Sequence, residues 1–215
     1  MGSYDRDYAR DGGRRGMVSG LPPVTKWLLI LNVGIFLLDW LFLNLRITKF
    51  GAFSVATALG EFRIWEFLTF QFIHGGPIHL LFNSIGIFFF GPFVERWWGS
   101  KRFLRFYLIC GVAGALFFTL LLGIGLLPNA STITGLVGAS AGLYGLLAAV
   151  YVIAPATRIR LLFPPIELSM KQMAIALVVI SVLTIIGGIL FQRPDVRLNS
   201  GGEAGHLGGL IMGLV

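Results

Sequence analysis

The chain has 215 residues, 56% of them hydrophobic and 13% charged, with 17 lysines and arginines against 10 acidic residues. A mean hydropathy of +0.83 is more than one soluble core of this size can hide, so lipid must be the solvent for most of the chain. The net charge of +7 could suit nucleic acid, but the basic residues are scattered between apolar runs without a stripe or a binding motif, which leaves no nucleic-acid partner.

Residues 1–20 are polar, glycine-rich and charged, whereas a secretory signal would carry its apolar stretch there. They read as a disordered cytoplasmic tail ahead of one transmembrane domain, 21–215. A hydrocarbon layer of about 30 Å needs about 20 helical residues. Apolar runs of that kind occupy 24–43, 78–94, 103–122, 138–154 and 173–191, and a sixth opens near Glu203. Pro22 and Pro23 suit the start of the first helix, and Pro155 closes the fourth. The sixth run reaches only Val215, short of a full crossing, and reads as truncated. Cys110, the single cysteine, lies inside the third run and reads as a packing residue. The expected fold class is an all-α membrane protein built as a six-transmembrane-helix bundle.

Lysines and arginines divide unevenly between the two sides of such a bundle. One side holds Arg6, Arg10, Arg14, Arg15, Lys26, Arg96, Lys101, Arg102, Arg105, Arg158, Arg160 and Lys171, and the other Arg46, Lys49, Arg63, Arg193 and Arg197. Twelve against five places the amino terminus in the cytoplasm by the positive-inside rule. The first outer connection, residues 44–77, is long and rich in aromatics, and it reads as an amphipathic segment against the membrane surface rather than a disordered loop.

Ionisable and polar side chains at membrane depth are costly, so each needs a partner, a cavity or a task. Four stand out: His79 and Asn83, one helical turn apart in the second run; Ser140 at the start of the fourth; and His206 at the start of the sixth. Even-numbered spans all begin on the same side, so these four lie at a similar outer depth and can share one site. A serine hydroxyl becomes nucleophilic when a base takes its proton, and histidine is the usual base near neutral pH. Ser140 and His206 supply that pair. The Asn83 amide, the His79 ring and the Ser140 backbone N–H are candidate donors to an oxyanion. No aspartate stands at a matching depth to orient the histidine, so a dyad is expected rather than a triad.

Close approach of two helices requires small residues. Gly138, Gly142 and Gly145 line the fourth run, and Gly209 and Gly213 follow His206 on its own helix. Tyr144, one turn after Ser140, is placed to lean on the imidazole or simply to pack. Asn32 and Asp39 share a face of the first run and read as interhelical polar contacts.

These residues resemble the rhomboid family of intramembrane serine proteases, from Pro22 to Val215. Gly138-Ala139-Ser140 is similar to the family's G-x-S nucleophile motif, and His206-x-x-Gly209-x-x-x-Gly213 to its H-x-x-G-x-x-x-G base motif. His79-x-x-x-Asn83 resembles the second-helix H-x-x-x-N pair assigned to the oxyanion site, His74 the histidine just before it, and Glu95 with Gly99 the E-x-x-x-G at the inner end of that helix. The resemblance implies a rhomboid-like bundle around a water-filled cavity open to the outside. It also implies single-span transmembrane protein substrates cut near the outer leaflet, no cofactor, and a plasma membrane, bacterial from the small undecorated core. Two residues depart from the family pattern: Ala141 stands where glycine is usual after the serine, and Trp65-Glu66 where Trp-Arg is common.

Other classes fit less well. There is no H-E-x-x-H, and Glu203-x-x-His206 occurs once where a di-iron bundle needs two such pairs. A transporter would show internal repeats with interrupted helices in matching positions. The serious alternative is a catalytically inactive rhomboid-like protein that binds transmembrane clients, although such relatives usually lack the serine or the histidine.

Overall fold

The computed structural model describes residues 20–160, 165–190 and 199–215, and within these the chain is a bundle of helices. Most of the proposed tail, residues 1–19, lies outside the described residues, as do Arg193 and Arg197.

Among the described residues four helices are long and apolar enough to cross a membrane: α1 (Pro23–Leu41), α4 (Pro77–Trp98), α5 (Ser100–Gly123) and α7 (Met170–Leu190). Between α1 and α4 the chain forms two short helices, α2 (Arg46–Gly51) and α3 (Glu66–Thr69), with a wide turn over Ala56–Gly60. Two more helices, the apolar α6 (Ser140–Ile153) and α8 (Ser200–Gly213), have 14 residues each. Large apolar side chains face outward along the long helices, among them Leu37, Phe82, Phe89, Leu116 and Leu183. That is the surface lipid solvates.

The long helices extend the expected runs into their charged flanks. α5 takes in Lys101 and Arg102, and α4 takes in Glu95 and Arg96, because long basic side chains can lie along the helix and carry their charge to the boundary. Gly99, at φ +79°, makes the sharp turn between them. Glu95 closes this end of the bundle. Its carboxylate accepts from the backbone N–H groups of Val24 (2.9 Å) and Thr25 (2.7 Å), and from the hydroxyls of Thr25 (2.8 Å) and Ser100 (2.6 Å). Two of the otherwise orphaned N–H groups at the start of α1 are thereby satisfied.

A 14-residue helix is about 21 Å long, well short of the hydrocarbon layer. α6 is therefore sunk inside the bundle, with most of its residues buried, and α8 packs extensively along both it and α5. The segment leading into α6 can lie at membrane depth because protein, not lipid, surrounds it. The chain between α6 and α7 carries a feature no apolar run signalled, an antiparallel pairing of β1 (Arg158–Arg160) with β2 (Glu167–Ser169), in which Arg160 faces Glu167.

The connection between α1 and α4 is folded, as its aromatic content suggested. Phe53, Ala58, Phe70 and Ile73 are buried, while Phe50, Phe62, Ile64 and Leu68 are exposed, giving it an inner and an outer apolar face. Glu66 sits fully buried inside it, accepting from the Thr57 hydroxyl (2.5 Å) and the Ser54 N–H (3.3 Å), with Arg63 at 3.9 Å. The residue that departs from the family pattern is thus an internal brace. Trp65 stacks on Phe50, with ring centroids 5.0 Å apart, and donates its indole N–H to the Phe50 carbonyl. Asp39 does not bridge to another span. It accepts from the N–H groups of Ile47 and Thr48 and from the Thr48 hydroxyl, and so caps the start of α2. Asn32 is fully buried, and its amide has no hydrogen-bond partner among the described residues.

Candidate active site

Ser140 is the first residue of α6, and the loop before it is fixed from outside. Phe53 and Leu136 exchange two backbone hydrogen bonds, of 3.1 and 2.7 Å, and the Gly138 N–H donates to the Phe70 carbonyl at 2.9 Å. Gly138 then turns the chain at φ +120°, a conformation strained for other residues. A Cβ there would also stand 2.6 Å from His79 Cε1. This is why the helix begins two residues later than the apolar run. As a helix start, Ser140 presents an N–H with no partner inside the helix, at the positive end of the helix dipole.

The small residues do what their spacing suggested. A Cβ on Gly209 would collide with the Ala141 carbonyl, and one on Gly213 would meet the Gly145 Cα at 2.7 Å, so α6 and α8 touch backbone to backbone. Gly142 leaves room for the Tyr107 ring, whose hydroxyl donates weakly to the Ala139 carbonyl at 3.5 Å. Ala141 is accommodated because the residue facing it is Gly114.

This contact brings His206 Nε2 to 2.8 Å from Ser140 Oγ. The Tyr144 ring stacks on the imidazole, with centroids 4.3 Å apart and planes inclined by 15°. On the far side of the imidazole, Nδ1 lies 3.0 Å from Glu203 Oε2. The same oxygen accepts from the Ser181 hydroxyl on α7 at 2.5 Å. Among the described residues the carboxylate beside the histidine is a glutamate. Residues three apart share a helix face, so the sequence carries this signal, but the spacing Glu203-x-x-His206 is equally that of half a di-iron motif. Nothing in the sequence singled out Ser181.

His79, Asn83, Ser140, Tyr144 and His206 line one cavity of about 300 Å³ whose remaining walls are apolar, including Phe82, Phe90, Leu143 and Leu177. His79 Nδ1 accepts weakly from the Gly75 N–H at 3.4 Å, which leaves its other ring nitrogen facing the Gly138 backbone. Asn83, 4% exposed, donates one amide hydrogen to the His79 carbonyl at 2.9 Å and has a second to offer. His74 is not in this cavity. It is buried between α1 and the first connection, edge-on to the His79 ring at 5.3 Å. Burial, then the nearby His79 ring, hold its pKa down at about 4.

A serine hydroxyl against an imidazole, beside several N–H donors in an apolar cavity, is the equipment of acyl transfer. Residues 61–215 match the family model described as Rhomboid domain. The chain is an integral membrane protein of the rhomboid family. It is 37% identical over 102 residues to the Putative rhomboid protease YdcA of Bacillus subtilis, covering 44% of this chain and 48% of that one. It is 30% identical over 156 residues to the Rhomboid protease GluP of the same organism, covering 73% and 25%. To the Rhomboid protease AarA of Providencia stuartii it is 28% identical over 210 residues, covering 90% and 71%. The chain thus spans about half of YdcA and a quarter of GluP.

Proposed function

We propose that this protein is an intramembrane serine endopeptidase that cuts single-span transmembrane proteins near the outer leaflet, with its amino terminus in the cytoplasm. The observation that carries the reading is the 2.8 Å contact between Ser140 Oγ and His206 Nε2 inside a cavity that also holds His79 and Asn83. As Ser140 Oγ bonds to the scissile carbonyl carbon, its proton passes to Nε2. The carbonyl oxygen gains the negative charge, and the Ser140 N–H, the Asn83 amide and the His79 ring donate to it. Collapse of that intermediate breaks the C–N bond, and the imidazolium returns its proton to the leaving amine. A water deprotonated by the same imidazole then releases the acyl group and restores Ser140.

The depth of α6 is consistent with a cut inside the membrane, because its short length draws Ser140 below the outer boundary. The test is labelling by a fluorophosphonate probe, paired with cleavage of a single-span substrate in liposomes. Ser140→Ala and His206→Ala should each lower cleavage by at least about 10³-fold and abolish labelling. Chelation with EDTA should leave the rate unchanged. If the natural chain neither labels nor cleaves but still binds a transmembrane helix, client binding becomes the function.

A further inference from the structure

The geometry points to Glu203 as a positioning residue for His206, so that the site is a Ser140–His206–Glu203 relay. This rests on the proposed function, because orienting the base matters only if Ser140 reacts.

The two ring nitrogens of His206 have different partners, Nε2 with Ser140 Oγ at 2.8 Å and Nδ1 with Glu203 Oε2 at 3.0 Å. An ionised carboxylate only accepts, so the hydrogen of the neutral imidazole belongs on Nδ1 and the lone pair on Nε2, facing the hydroxyl it must deprotonate. The opposite tautomer would leave Ser140 without a base. When Nε2 takes the serine proton, the positive charge on the ring lies beside the carboxylate. Nδ1 keeps its hydrogen, and Glu203 takes no proton at any stage.

Glu203 is held for this task. Its Oε2 also accepts from Ser181 Oγ at 2.5 Å, so α7 fixes the carboxylate from outside α8. Tyr144 on α6 lies over the imidazole and comes near Glu203, which confines the ring to one plane. The plainer role for a carboxylate in a first turn is to satisfy N–H groups at the helix start. That role is filled by Asn199, whose side chain accepts from the Gly202 N–H at 3.1 Å, whereas among the described residues the Glu203 side chain takes no backbone donor. A carboxylate at membrane depth is costly, and its partners here are the base and one hydroxyl.

The experiment compares Glu203→Ala and Glu203→Gln with the natural full-length chain, by cleavage kinetics in liposomes and by labelling rate. Glu203→Ala should lower kcat about 10²-fold or more with KM little changed, since a misoriented base affects the transition state and not substrate binding. Glu203→Gln keeps the shape but can present an N–H to Nδ1, and should be impaired at least as far. The Glu203 side chain is 16% exposed, so a small anion can reach the space it leaves, and added formate should restore part of the Glu203→Ala rate. A merely structural role predicts no such rescue. Folded variants that retain the natural kcat, or a Glu203→Ala loss that formate does not relieve while Glu203→Gln is fully active, would overturn the relay. Those results are distinct from a natural chain that does not label at all, which defeats the proposed function itself.

Discussion

Glu95 and Glu203 are two glutamates enclosed by the bundle, and their partners separate a clasp from a working part. Glu95 is 2% exposed and accepts from four donors on α1 and α5, none of which changes protonation. Glu203 is less enclosed and accepts from one hydroxyl and one imidazole. A carboxylate whose donors are all permanent can only fix geometry. One that shares a hydrogen with an imidazole is coupled to whatever that ring does. Burial alone would have ranked them in the opposite order of interest.

The largest difference between them should be in stability. Glu95→Ala strands two backbone N–H groups and two hydroxyls in a closed end of the bundle, and should cost about 3–5 kcal/mol. Glu203→Gln leaves groups that re-pair or reach water, and should cost no more than about 1 kcal/mol. Thermal unfolding of both variants in detergent measures this, and equal losses would erase the distinction between clasp and working part.

His74 sharpens the contrast from the other direction, as a buried titratable group with no well-formed partner. Among the described residues neither ring nitrogen has a hydrogen bond of good geometry, beyond a weak interaction with the Phe72 backbone. Its pKa falls from 6.5 to about 4 on folding, so the unfolded chain binds the extra proton between those values. The sign follows: the contribution is full above pH 6.5 and is lost as pH falls toward 4. Between pH 7 and pH 5 the loss should be up to about 2 kcal/mol. His74→Leu should show a shallower decline over that interval than the natural chain, and parallel curves would mean that His74 titrates as it does in water.

Most of the bundle was legible in the sequence because lipid imposes long apolar runs and punishes polar exceptions. The same rule made Ser140, His206, His79 and Asn83 visible as exceptions, and the cavity gathers all four. Legibility stopped where a residue's role depends on a partner far away in the chain. Ser181 is an ordinary small polar residue in an apolar helix until α8 lies beside it, and Glu66 gave no sign that it would point inward. His74 matched a family position, yet it lines the space between α1 and the first connection, one ring away from the cavity. Its position in the chain could not reveal that offset, which comes from the turn between Ile73 and Pro77.

The smallest predicted effect compares the two serines that serve these glutamates. Ser100 donates to Glu95 at 2.6 Å and Ser181 to Glu203 at 2.5 Å, so Ser100→Ala and Ser181→Ala each delete one hydroxyl bonded to a carboxylate. Each should cost about 1–2 kcal/mol of stability. Activity should divide them. Glu95 keeps three other donors without Ser100, and they are far from the cavity, so Ser100→Ala should cleave at the natural rate. Among the described residues Glu203 without Ser181 keeps only its bond to His206 and can swing with the ring it is meant to steady, so Ser181→Ala should lose a few-fold to about 10-fold in kcat at unchanged KM. Equal activity in the two variants would mean that α7 contributes packing to the site and nothing to the aim of its base.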